Sequence, residues 1–165
     1  MKKTALIKNV PGIILLLLFI VPFGCDEEVK KGTKQTKDFS SQVVAEWVGL
    51  QSSMLFVQTG NPFGFNPSRY AAYTGVALYE SVLPGMPLYQ TLHGQLTDMP
   101  AMPSVEAGKE YHWPACANAA LAAMTRKFFS PVTAVYDAEA VDQLEEAYNL
   151  EFANQVDDEI LDSSI

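Results

Sequence analysis

The chain has 165 residues, of which 48% are hydrophobic and 18% charged, a composition that excludes a wholly disordered chain and predicts a packed core. Residues 1–25 read as a removable leader, and the 140 that follow (165 minus 25) suffice for one domain and not for two. All 19 carboxylates follow Cys25, against eight basic residues there, so the mature part carries about −11 (8 minus 19), which excludes the basic face that nucleic-acid binding requires.

Lys2, Lys3 and Lys8 form a positive N-terminal region, residues 13–21 (IILLLLFIV) are continuously apolar, and Pro22-Phe23-Gly24 leads into Cys25. That is the layout of a secretory signal. The apolar run is shorter than the roughly 20 residues a membrane-spanning helix needs. Gly24 before Cys25 resembles the lipobox of bacterial lipoproteins, although Pro22 stands where that motif usually has Leu and Phe23 is bulky. The resemblance implies cleavage before Cys25 and lipidation of its thiol, hence export and attachment to a bacterial, expectedly outer, membrane on its periplasmic or surface side. Asp26-Glu27-Glu28 resembles the acidic export signal of surface lipoproteins in Bacteroidetes. With Cys25 lipidated, Cys116 has no partner for an intramolecular disulfide and reads as a small core residue. Nothing near it in sequence is cationic enough to make it a thiolate nucleophile with His112.

Residues 26–39 are polar, mixed in charge and poor in apolar side chains, and read as a flexible tether before a helical region, 40–165. A first helix starts at Ser40 or Ser41, with Val43, Trp47, Leu50 and Met54 as its apolar stripe, and stops at Gly60-Asn61-Pro62. Asn66 caps a second helix whose first position is Pro67 and which runs to about Leu83, where Pro84-Gly85 ends it. Between Arg69 and Glu80 this helix carries no charge, so burial on nearly all sides is expected, with Ala71, Ala72, Gly75 and Ala77 admitting close neighbours. Residues 84–113 hold neither a helical nor a strand period and form a long loop: a wrap over helices, a site-forming loop, or the joint of an incomplete fold. A third helix begins at Pro114 with Ala117, Ala120, Leu121, Met124 and Phe128 on one face, and Ser130-Pro131 repeats the cap-plus-proline start. The fourth shows Ala138, Val141, Leu144 and Tyr148 inside, Asp137, Glu139, Asp142, Glu145 and Glu146 outside, and an end near Asn149. A last stripe, Val156, Ile160, Leu161 and Ile165, reads as a helix interrupted partway. The expected fold class is all-α, a partial bundle of about five helices.

Constellations with chemical meaning are sparse. Two histidines cannot make a three-histidine zinc site, no Glu-x-x-His pair exists for a di-iron bundle, and there is no phosphate loop, nucleophile elbow or Cys-x-x-Cys. Asp157, Asp158, Glu159 and Asp162 suit the first turn of a helix better than a cation site. Arg69, beside Asn61, Pro62, Phe63, Phe65 and Asn66, is the one weak candidate for contact with an anion; the commoner role of such an arginine is pairing with a carboxylate or capping a neighbouring helix. Tyr70, Tyr73 and Tyr79 read first as core aromatics with a polar tip.

Taken in order, Asn66-Pro67-Ser68-Arg69-Tyr70-Ala71-Ala72-Tyr73, Val76-Ala77-Leu78-Tyr79-Glu80-Ser81-Val82, Pro84-Gly85-Met86-Pro87, Tyr89-Gln90-Thr91-Leu92, Tyr111-His112-Trp113-Pro114 and Ala117-Asn118-Ala119-Ala120 form a recognisable series. Over residues 43–165 the chain resembles the N-terminal helical region of bacterial vanadium-dependent haloperoxidase-like proteins of the PAP2 phosphatase superfamily, particularly lipoproteins of Bacteroidetes. The resemblance implies an all-α bundle whose active site grips vanadate or phosphate through Lys-x6-Arg-Pro, Pro-Ser-Gly-His and Ser-Arg-x5-His-x3-Asp motifs. None of the three occurs here. No catalytic, cofactor-binding or metal residue is therefore assigned, and vanadate is expected only in a full-length member. A bound oxyanion needs several converging cationic donors, which one arginine cannot supply. The expectation is an inactive N-terminal fragment whose partners are the membrane, through lipid on Cys25, and a missing C-terminal catalytic half. The alternative is a self-contained helical surface lipoprotein that binds a partner or carbohydrate, with the long loop 84–113 as its contact.

Overall fold

The computed structural model describes residues 34–56, 67–131 and 136–165, all within the unit Gly32–Ile165. The leader, Cys25, the start of the tether, the Gly60-Asn61-Pro62 stop and the Asn66 cap lie outside the described residues. Within them the chain is all-helical: α1 (Gln42–Phe56), α2 (Pro67–Val82), α3 (Trp113–Phe129), α4 (Ala138–Ala153) and α5 (Asp158–Ser164), with 3-10 turns at Thr36–Asp38 and Leu83–Gly85. None of these helices is long and apolar enough to cross a membrane.

Helix α3 is the axis of the arrangement and packs against α1, α2, α4 and α5. The α1 stripe is as the spacing predicts: Val43, Trp47 and Met54 are buried and Leu50 half-buried, packed against Leu121, Ala122 and Phe129 of α3 and Val141, Tyr148 and Phe152 of α4 in one cluster. The buried face of α3 departs from its apolar letters. Ala120, Met124 and Phe128 are only half-buried, while Asn118 and Thr125 are sealed from solvent. Two hydrogen bonds explain why polar groups are tolerated there. Trp47 Nε1 donates to Asn118 Oδ1 at 2.7 Å, and Gln51 Nε2 donates to Thr125 Oγ1 at 2.9 Å. Asn118 passes the connection on to α4, donating to the Glu145 carbonyl (3.1 Å) and to Asn149 Oδ1 (3.0 Å).

Helix α4 is capped by Asp137, whose carboxylate accepts from Ala140 N, and not by Ser130. It runs on to Ala153, a turn beyond Asn149, because Phe152 extends the stripe and is itself buried. Glu145 is half-buried and not simply outside: Arg126 of α3 donates to it and to Asp142 (2.7 Å), stapling α3 to α4. Helix α5 is short, with Asp158 and Glu159 in its first turn; Ile160 and Leu161 are half-buried and Ile165 is 60% exposed, so its stripe is only partly covered.

Helix α2 is the largest departure from expectation. Tyr70, Thr74 and Glu80 are buried, but Arg69, Ala71, Ala72, Tyr73 and Gly75 are exposed. The absence of charge reflects an uncovered apolar side, since all-round burial requires neighbours on every side and α2 packs chiefly on α3. At its C-terminus the last residues of the expected tether are pinned. Thr36 Oγ1 donates to the Val82 carbonyl (2.8 Å), and Trp113 Nε1 donates to the Lys34 carbonyl (2.8 Å). Gly85 is buried beneath this strap, where any Cβ would meet Thr36 and lie 2.5 Å from the Trp113 indole. The start of the loop that follows lies against α2, where Tyr79 donates to the Gln90 carbonyl and Glu80 holds Thr91 and Leu92.

Candidate functional site

The uncovered side of α2 forms one wall of an open groove of about 1430 Å³. Ala72, Val76 and Ala77 of α2 face Ala119, Ala120, Ala123 and Met124 of α3; the loop around Asp98–Glu106 forms the rim, and Tyr111, Trp113 and the end of α5 close one end. Tyr111 and Trp113 stack at 5.6 Å, nearly parallel. Most of this surface is apolar because the sequence supplies alanine where a helix spaces residues by four.

Glu80 is the polar landmark of the groove. It is 7% exposed, its Oε1 accepts from Leu92 N at 2.6 Å and its Oε2 from the Thr91 hydroxyl at 2.9 Å. Both donors are neutral, and among the described residues Glu80 has no ion-pair partner. Asp98 and Glu106 also line the groove; Glu106 is paired with Lys109 at 3.0 Å, whereas Asp98 sits in the rim with φ of 58°, a left-handed conformation that Asp tolerates. Among the described residues no lysine, arginine or histidine lines this space. Glu80 is not among the residues the sequence singles out, although a lone charge following ten uncharged helical positions signals that it meets a specific environment.

Arg69, the anion-contact candidate, is exposed on α2, donates to the Tyr73 hydroxyl at 3.3 Å and lies over that ring at 5.5 Å. Tyr73 lines the groove; Arg69 does not. The Asn61–Asn66 stretch expected beside it lies outside the described residues. Tyr70 is a core aromatic as expected, edge-on to Phe128 and Phe129, and burial raises its phenol above the ordinary value.

Cys116 also lines the groove and is half-buried; burial pushes its thiol up to about 11, so it stays protonated at neutral pH, beside the Ser164 hydroxyl. His112 is 3% exposed, its ring held by Phe39 at 5.1 Å and Phe152 at 4.7 Å, and burial lowers it below the ordinary histidine range. Each environment favours the neutral form, the opposite of a thiolate–imidazolium pair. His112 borders a second, polar cavity of about 590 Å³, lined by Lys34 together with Glu110 and Asp157. Among the described residues no three His, Cys, Asp or Glu side chains converge as a metal site.

Compared with family models, with curated proteins and with solved structures, the chain finds no match in any of the three.

Proposed function

We propose that the chain is the helical N-terminal region of an exported haloperoxidase-like or PAP2-type protein, tethered to a bacterial membrane through lipid on Cys25, and that it acts as scaffold and does not seat the oxyanion chemistry. The helical architecture and the ordered series of packing motifs support the ancestry. The observation that carries the scaffold role is the groove lining, with Glu80, Asp98 and Glu106 and, among the described residues, no cation. A phosphate or vanadate seated about 6 Å from Glu80 meets a repulsion of about 3 kcal/mol per pair of unit charges at an effective dielectric of about 20. The enzymes it resembles solve the opposite problem, surrounding the oxyanion with lysine, arginine and histidine.

Two measurements test this reading. The 165-residue chain is expected to retain no vanadate in equilibrium dialysis and to leave p-nitrophenyl phosphate intact, and the nucleotide sequence beyond the Ile165 codon is expected, in some frame, to encode the lysine, arginine and histidine motifs. Vanadate bound by the chain itself, or a stop followed by unrelated sequence, would overturn it. The open apolar groove favours a second reading, an interaction module whose binding surface is the space between α2 and α3.

A further inference from the structure

The groove exceeds the roughly 300–1,000 Å³ of ordinary small-molecule pockets. Its walls have helical spacing. Ala72, Val76 and Glu80 lie four apart on α2, and on α3 Ala120 and Ala123 present small side chains opposite them. Facing ridges of small residues admit a third helix at the interaxial distance of about 8–10 Å seen between packed helices. Its charge is as specific as its shape. Glu80 is a buried carboxylate held by two neutral donors and without a described counter-ion, so each oxygen keeps a lone pair that a cation can engage in a charge-assisted hydrogen bond. Asp98 adds negative potential at the rim, while Glu106 is already occupied by Lys109.

We infer that the groove is the docking site for an amphipathic helix of another protein, one whose apolar face carries a single lysine or arginine that reaches Glu80. The inference rests on the second reading above, in which the groove is a binding surface, and not on the haloperoxidase resemblance. A second copy of this chain is a poor occupant, because each copy carries a formal charge of −8. In the complex the alanine ridges receive the partner's leucine-sized side chains, as in other helix-in-groove recognition, and the partner's cation donates to the free lone pairs of Glu80.

The test uses two fluorescent, end-blocked peptides of about five helical turns. Both have a leucine and alanine face and glutamine elsewhere; one has lysine at the centre of the apolar face, the other methionine. Binding to the full chain is followed by anisotropy. The lysine peptide is expected to bind about tenfold or more tightly than the methionine peptide. Glu80→Gln, which keeps an acceptor for Leu92 N, is expected to erase most of that preference. Ala123→Trp, at an exposed position, is expected to block both peptides. Should Glu80→Gln fail to fold, as judged by circular dichroism, Asp98→Asn at the rim takes its place, with a smaller loss of preference expected. Equal affinity for the two peptides would overturn the role of charge while leaving the groove as a binding surface. Absence of saturable binding, or binding indifferent to Ala123→Trp, would overturn the helix docking site, whereas the module reading falls only if dodecylamine binding and self-association are absent as well. Tight binding of dodecylamine without either peptide would reassign the groove to a small amphiphile, and a dimer dissolved by Ala123→Trp would reassign it to a second copy; either result overturns the inference.

Discussion

Two glycines ten positions apart show how far a single letter can mislead. Gly75 lies in the middle of α2, exposed, with no atom within 4 Å of the place a Cβ would take. Gly85 follows the same helix and is buried against Thr36 and Trp113, with no room at all. Gly75→Ala is therefore expected to raise stability by about 0.5–1 kcal/mol, because alanine loses less backbone freedom in a helix. Gly85→Ala is expected to lower it by about 1–3 kcal/mol, since the methyl must displace the indole or the strap. Urea unfolding of the two variants beside the wild type measures both; equal effects would mean that the strap over Gly85 does not exist in solution. From sequence, Gly75 was read as a point of close helix contact and Gly85 as a helix terminator. The first reading fails because a small residue facing a neighbour and a small residue facing solvent are spelled alike. The second is right but incomplete, since the tether residues that make Gly85 obligatory, Lys34 and Thr36, sit in a segment whose composition gives no reason to expect packing.

Among elements, those with a clean apolar stripe were legible and those with buried polar groups were not. The stripes of α1 and α4 are legible for the most part, because Val43, Trp47, Met54, Val141 and Tyr148 recur at helical spacing and all are buried, whereas Ala138, expected inside, is exposed in the first turn of α4. Helix α3 misled because its most buried positions include Asn118 and Thr125, which any hydrophobicity rule places outside. They are inside because Trp47 and Gln51 bring donors that need acceptors. Asn118→Leu is accordingly expected to cost about 1–3 kcal/mol, the penalty for leaving the Trp47 N–H unpaired in a sealed site. Adding Trp47→Phe to Asn118→Leu removes that orphan donor, so the pair is expected to be less destabilised than the sum of the single variants. A double-mutant cycle by chemical denaturation reads this coupling directly. Strict additivity would show that the hydrogen bond contributes nothing beyond packing, and the mismatch between pattern and burial in α3 would then need another cause.

At the scale of the whole molecule, the groove was the feature least accessible to sequence. An uncharged helix implies burial only if something is available to bury it, and the letters of α2 do not say that its second side would stay open between α3 and a wrapping loop. The same geometry predicts an uneven distribution of stability. Helix α3 touches every other helix, and its Ala115, Asn118, Ala122 and Thr125 are sealed from solvent. Helix α5 is a seven-residue segment against α3 and α4, and the loop from 86 to 111 hangs on side-chain contacts such as those made by Glu80. Opening α5 or the loop exposes little apolar surface, whereas opening α3 dissolves the core, so local openings must be far cheaper at the periphery. Native-state hydrogen exchange is expected to find the slowest amides in α3, faster exchange in the solvent-facing turns of α2, and the fastest in α5 and the loop. Protection of α5 equal to that of α3 would mean that the described region opens only as a single cooperative unit, a result incompatible with a groove whose wall and rim stand uncovered.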